Sequence, residues 1–210
     1  MNSDLYKTLI LATTLFCCNA AANTLQIKVQ DQAASPLANA VIELIAEQPI
    51  PQLNQPQISI AQQGLMFVPF VTAAPINSAI EFPNKDKTRH HIYSFSDAKT
   101  FEIQLYADTP EQPVIFDRQG IVVLGCNIHD YMQAYIYIGA SPLLAVTDGA
   151  GTAAFSDLPA GNYQLKLWHP WQKQPQQITS ITLTTNTEQQ LTLPVEQKAL
   201  PTAPKRGFGH

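Results

Sequence analysis

The stretch G-I-V-V-L-G-C-N-I-H-D-Y-M-Q-A-Y-I-Y-I-G, residues 120–139, decides how the rest of this chain is read. A β-rich run, Ile121 to Leu124, leads into Cys126. A short loop then carries His129 and Met132, and a second β-rich run, Ala134 to Ile138, leaves in the opposite sense. A thiol, an imidazole and a thioether therefore fall within seven residues, at Cys-x2-His-x2-Met spacing. One thiolate, two imidazoles and a weak axial methionine make the trigonal set with which proteins hold copper for one-electron transfer. The loop supplies one histidine, so a second must come from elsewhere in the chain.

Composition bounds the answer. A chain of 210 residues accommodates one large β-domain or two small ones. With 45% apolar and 13% charged residues, a folded core is expected and general disorder is not. Sixteen prolines, nine glycines and a scarcity of helix-period runs predict strands joined by turns. A net charge of −4 argues against nucleic acid, which needs a basic face. Glycine-rich phosphate loops, dinucleotide fingerprints and paired-carboxylate signatures are missing from the sequence. Cys126 and His129 share a loop, but no residue is evident to orient a Cys-His nucleophile pair. The chain is therefore not expected to be an enzyme.

The N-terminus reads as an export signal spanning residues 1–22. Lys7 precedes an apolar run, Thr8 to Cys18, that is too short to cross a bilayer. The small residues of Asn19-Ala20-Ala21-Ala22 suit cleavage after Ala22 or Ala20. Lipoprotein processing at Cys17 or Cys18 fits poorly, because bulky Phe16 or Cys17 would stand directly before the modified residue. The mature protein is expected in the periplasm, with no membrane span. Cys17 and Cys18 leave with the signal, so Cys126 has no partner for an intramolecular disulfide. An unpaired cysteine in an oxidising compartment is an intermolecular link, a reactive thiol, a buried bystander or a metal ligand. His129 and Met132 immediately downstream favour the ligand.

Along the mature chain, Leu25, Ile27 and Val29 alternate as in a half-buried strand, and residues 40–46 read as a second strand. Gln48 to Gln57 is rich in proline and glutamine and reads as a linker or surface crossing. Strands are predicted at Ile58 to Ala61, Leu65 to Val71, Ala79 to Phe82, His91 to Phe95, Phe101 to Tyr106 and Val114 to Phe116, with Met66 in the core. Such spacing suggests a sandwich or small barrel. Beyond Ser141-Pro142, turns at Asp148-Gly149 and Pro159 to Asn162 punctuate further strands, with Tyr163, Leu165 and Leu167 on one face. Two more are predicted at Ile178 to Leu183 and Gln189 to Leu193, ahead of a flexible tail, residues 196–210.

For the second imidazole, His210 stands at the frayed terminus and His169, between Trp168 and Pro170, is expected to pack. His90 follows a polar turn and precedes the strand predicted at His91 to Phe95. Here the sequence resembles the cupredoxins, the type 1 blue copper proteins, whose upstream ligand comes from an N-x-D-x-x-x-H-N-like turn. That turn stands as Asn84-Lys85-Asp86-Lys87-Thr88-Arg89-His90-His91, with His91 where asparagine is usual. The Cys126-Asn127-Ile128-His129-Asp130-Tyr131-Met132 loop has amicyanin-type spacing. The run from Phe82 to Met132 is similar to a group of exported bacterial proteins labelled methylamine utilization protein, although nothing in the sequence points to methylamine.

The resemblance implies one copper ion held by His90, Cys126, His129 and Met132. Asn84, His91 and Asn127 would support the site, His91 reaching Asn127 in place of the usual asparagine tie. His129 would be the electron port, with Asp130 and Tyr131 at its docking border; Asp86 and Arg89 read as turn or surface charges. The implied partners are a redox donor and acceptor.

Residues 25–46 and 147–193 resemble the two halves of a carboxypeptidase regulatory-like (transthyretin-like) sandwich. The expected fold is therefore all-β: a cupredoxin-like Greek-key sandwich, residues 57–142, with a smaller transthyretin-like module from residues 23–48 plus 143–195. A continuous N-terminal elaboration of one sandwich is the rival arrangement. Rival functions are a copper chaperone or sensor using the same ligands, and a metal-free β-sandwich interaction protein.

Overall fold

A computed structural model describes residues 22–50 and 57–204. The export signal with Cys17 and Cys18, the middle of the proline- and glutamine-rich stretch, and the end of the tail with His210 lie outside the described residues.

The described residues form strands and no helix, so the all-β class expected from the sequence holds. The chain opens with β1 (Asn23–Gln30) and β2 (Val41–Ala46). Next come β3 (Ile58–Ser59), β4 (Ala61–Gln62), β5 (Phe67–Val68), β6 (Val71–Pro75) and β7 (Ser78–Glu81). They are followed by β8 (His90–Ser96), β9 (Lys99–Tyr106), β10 (Val114–Phe116), β11 (Gly120–Cys126) and β12 (Gln133–Gly139). The last strands are β13 (Leu143–Val146), β14 (Thr152–Leu158), β15 (Gly161–Trp168), β16 (Gln177–Leu183) and β17 (Thr187–Thr192).

Two apolar clusters organise these strands. One lies between the sheets β14-β1-β17 and β13-β2-β15-β16 and includes Leu25, Ile27, Ile42, Leu44, Leu165 and Leu167. The period-two pattern of β1 is the cause: Leu25, Ile27 and Val29 are buried while Gln26 and Lys28 between them are less so. The other cluster lies between the sheets β6-β12-β11-β8-β9 and β10-β7-β3, and includes Ile80, Phe116, Ile92, Val122, Leu124 and Ile136. Strands β3 to β12 all fall in sequence between β2 and β13, which pair antiparallel from Leu44↔Leu143 to Val41↔Val146. The chain leaves the first pair of sheets after β2, builds the second pair, and returns beside the strand it left.

The two layers meet in a third cluster of Val41, Val71 and Tyr137, flanked by half-buried Phe70, Tyr135 and Trp168. The Trp168 ring lies 5.8 Å from Tyr137 and 6.2 Å from Tyr135. Beneath them Glu43 of β2 is 1% exposed. Its carboxylate accepts from the Tyr137 hydroxyl (2.8 Å) and the amides of Ala140 (2.6 Å) and Ser141 (2.9 Å), with Lys166 Nζ at 3.4 Å. A buried carboxylate is tolerated because its lone pairs and charge are met.

Several strand expectations change: the predicted Ile58 to Ala61 strand is divided between β3 and β4, and β6 was not expected. The predicted Leu65 to Val71 strand is broken: Gly64 (φ 64°) and Leu65 (φ 59°) form the two-residue turn between β4 and β5. Both central residues at positive φ make a type I′ hairpin, and Gln63 N–H donates to the Met66 carbonyl at 2.9 Å. Met66, expected in the core, is half-buried at that turn. Strand β13 is an addition; its short L-L-A-V run lacks alternation and is ordered by pairing with β2.

His169 packs, as expected. It is 2% exposed, donates from Nε2 to the Ala38 carbonyl (3.2 Å) and accepts the Trp171 amide at Nδ1 (3.1 Å). Burial drives its pKa down to about 4, against a smaller upward pull from the Ala38 bond. The folded state thus holds His169 neutral where the unfolded chain takes up a proton. Its stabilising contribution is complete above the unfolded value near 6.5 and is lost as pH falls through about 4, on the order of 2–3 kcal/mol. Urea unfolding at pH 7 and pH 4.5 is expected to show a smaller acid loss in His169→Gln than in the parent. Equal losses would refute this assignment.

Candidate metal centre

The site is assembled by the pairing of β8 with β11. Alternation along β8 turns His90, Ile92 and Ser94 into the core, and leaves His91 and Tyr93 half-buried on the other face. β11 runs antiparallel to β8, with Cys126 opposite Ile92 and Gly125 opposite Tyr93, which places the end of β11 beside the start of β8. The loop from Asn127 then folds back before β12, closed by a bond from Met132 N–H to the His129 carbonyl at 2.9 Å.

Three donor atoms converge: those of His90, Cys126 and His129 all lie within 4.8 Å of one another. Nδ1 of His90 and Nδ1 of His129 each stand 3.8 Å from Cys126 Sγ. The imidazole rings are tilted with centroids 5.2 Å apart. Nitrogen and sulfur donors at roughly 2.0–2.3 Å from a shared first-row ion, set at trigonal angles, stand about 3.7 Å from each other. The trio fits that requirement. A single soft thiolate with two imidazoles suits copper better than structural zinc, which usually draws on several thiolates. Cys126 and His90 are 2% and 0% exposed, while His129 is half-buried. Burial lowers the pKa of His129 and the neighbouring His90 adds to this, which favours the neutral, ligating imidazole.

Met132 is outside the converging trio. Its side chain is 1% exposed in the apolar cluster that also holds Cys126. A thioether is apolar enough that the core is its natural place.

The structure redraws the supporting residues. Asn84 is a tie within the turn: its Nδ2 donates to the Thr88 carbonyl (2.9 Å), and its Oδ1 accepts the Asp86 amide (2.9 Å). His91 does not face the site. The alternation that buries His90 turns His91 outward, where Nε2 meets Glu102 Oε1 at 2.9 Å. Asn127, its expected partner, is exposed on the loop. Arg89 is exposed as expected. Asp86, read as a turn or surface charge, lies in that turn and also reaches the imidazole: its Oδ2 lies 3.0 Å from His90 Nε2. Burial opposes ionisation of Asp86, but amide bonds from Leu65 and Gly64, with His90, outweigh it and hold the carboxyl below its ordinary range.

Two further contacts carry no sequence signal. Tyr106, opposite His90 in the β8–β9 ladder, bonds through its hydroxyl to the fully buried Gln62 side chain and to the Phe82 carbonyl. Tyr93 lies over Gly125, where an added Cβ would come within 2.6 Å of the phenol ring. Outside the sheet a cleft of about 270 Å³ is lined by Tyr93, Phe95, Val123, Cys126, Asp130 and Met132. Beside His129, the Tyr131 ring is 5.7 Å away, and Ile128 and Asp130 are exposed.

No protein-family model and no curated protein matches this sequence. Solved structures do. One is the Cu-containing nitrite reductase (NirK) from Thermus scotoductus SA-01, at 22% identity and a TM-score of 0.38 over 47% of this chain and 27% of that one. The reduced Cu(I) form of a point mutant of amicyanin is similar at 10% identity and a TM-score of 0.37, over 47% of this chain and 98% of that one. A purple cupredoxin from Nitrosopumilus maritimus is similar at 14% identity and a TM-score of 0.34, over 40% of this chain and all of that one. Among the described residues no helix is long and apolar enough to cross a membrane.

Proposed function

We propose that this chain is an exported, periplasmic type 1 copper protein of the cupredoxin kind, carrying single electrons between redox proteins. The observation that carries this reading is the placement of two imidazole Nδ1 atoms at 3.8 Å from one buried thiol. His90, Cys126 and His129 would hold the ion, and Met132 would be a further, weak sulfur ligand. When bound, copper supplies a one-electron couple. The residues supply the rest: Cys126 gives the strongly coupled donor, the buried wall excludes water, and the rigid β8–β11 pairing limits rearrangement between oxidation states. His129, half-buried beside Ile128, Asp130 and Tyr131, is the electron port, and a redox donor and acceptor dock there. Transfer at such a port is outer-sphere, so no substrate is turned over.

The reading extends to the domains. Residues 57–142 would form the copper-binding sandwich, inserted into a transthyretin-like module built from residues 23–48 plus 143–195. The separate apolar clusters and the β2–β13 pairing support it.

The test is a visible absorption spectrum of the mature protein after addition of Cu(II). An intense thiolate-to-copper band that bleaches with ascorbate and returns on reoxidation is expected. Tight Cu(I) binding without that band would indicate a copper chaperone or sensor. A protein that takes up no copper would return the chain to metal-free interaction modules.

A further inference from the structure

We propose that Asp86 is a positioning residue for His90, and that the turn between β4 and β5 is the clamp that holds Asp86 in place. The inference rests on reading His90 as a metal ligand. Imidazole has two nitrogens, and only one tautomer leaves Nδ1 free to donate a lone pair toward Cys126. The carboxylate of Asp86 is an acceptor only. With Oδ2 at 3.0 Å from His90 Nε2, it places the ring proton on Nε2 and leaves the Nδ1 lone pair facing Cys126 Sγ, 3.8 Å away. The carboxylate is itself gripped from the other side. Gly64 N–H donates to Oδ1 at 2.8 Å and Leu65 N–H donates to Oδ2 at 2.9 Å. Both amides point at one anion because Gly64 and Leu65 stand at φ 64° and 59°, a concave backbone of the kind that binds anions. Asn84 accepts the Asp86 amide and fixes the start of the turn. A hairpin far from β8 in sequence thus sets the proton position on a ring that the ladder alone leaves free to choose.

A carboxylate behind a metal-binding histidine typically accounts for 10–100-fold in metal affinity. The first measurement is made on the metal-free protein, by long-range ¹H–¹⁵N correlation at the His90 ring. The parent is expected to show the Nε2–H tautomer alone. Asp86→Ala is expected to show a mixture, and to bind Cu(II) about 10–100-fold more weakly in a competition titration. Asp86→Asn keeps the shape and serves as the second variant. With one acceptor oxygen in place of two, it must either set a donor against a turn amide or donate to Nε2, so a weakened preference for the Nε2–H tautomer is expected. Asp97→Ala, an exposed carboxylate in the β8–β9 turn, is expected to change neither quantity. An unaltered tautomer with affinity within about threefold of the parent in both Asp86 variants would overturn the proposal. If the parent binds no copper while the tautomer still shifts, the metal reading fails and the positioning role stands.

Discussion

Cys126→Ser is expected to abolish the visible copper band outright while leaving the chain folded. Cys126 Sγ is the atom common to both close contacts in the candidate donor trio, so its removal would take the strongest ligand from the proposed site. A serine hydroxyl stays protonated near neutrality and is a hard donor, whereas a thiolate is soft and would share charge readily with a bound cupric ion. The intense band depends on that sulfur. The fold should not depend on it: serine is close in size, and its hydroxyl can donate to the Nδ1 of His90 or His129 in the buried pocket. The expected stability cost is therefore about 1 kcal/mol. Absorption after Cu(II) addition, with a urea midpoint measured beside it, separates the two effects. An intense band surviving in Cys126→Ser would mean that any copper binds elsewhere.

Glu43→Ala should be the most destabilising single truncation at the junction of the two β-layers. It removes the acceptor shared by Tyr137, Ala140 and Ser141, and leaves Lys166 beside them without its counter-ion. Breaking a buried ion pair from one side, with donors left unsatisfied, costs about 3–5 kcal/mol. Glu43→Gln retains one carbonyl oxygen for the Ala140 and Ser141 amides, so a smaller loss is expected. The probes of unfolding are also informative. Trp168 and Trp171 report on the β15 end of the junction, while the copper band reports on His90, Cys126 and His129. In the parent the two are expected to coincide in urea, and in Glu43→Ala to separate. A midpoint shift equivalent to less than about 1 kcal/mol would show that the aromatic cluster of Tyr135, Tyr137 and Trp168 holds the junction by itself.

The legible parts of this chain are those whose cause is local. Alternation in Leu25, Ile27 and Val29, and in Tyr163, Leu165 and Leu167, specifies a buried face whatever it is buried against. Cys126 and His129 are three residues apart in one loop, so their meeting requires only that the loop turn. His90 was identifiable as the histidine between a polar turn and the strand predicted from His91, and the inward direction of His90 carries His91 outward by the two-residue period. Asp86 stands four residues before His90 within the same turn, a local spacing that lets its carboxylate reach the imidazole.

The rest required the folded chain. Nothing local announces that the Gly64 and Leu65 amides will grip Asp86, that Gln62 will receive Tyr106, or that Tyr93 will lie over Gly125. Each joins strands brought side by side only by sheet order. Glu43 reads in sequence as one charge in an apolar strand and proves to be a buried acceptor, because its partners arrive nearly a hundred residues later. The sequence by itself determined the alternating strands and the chemical types of the candidate donors, which are properties of short segments, but not every strand boundary. Tertiary structure decided how the site is supported and how the two β-layers are joined, because those depend on contacts between segments whose separation in the chain carries no signal of their proximity in space.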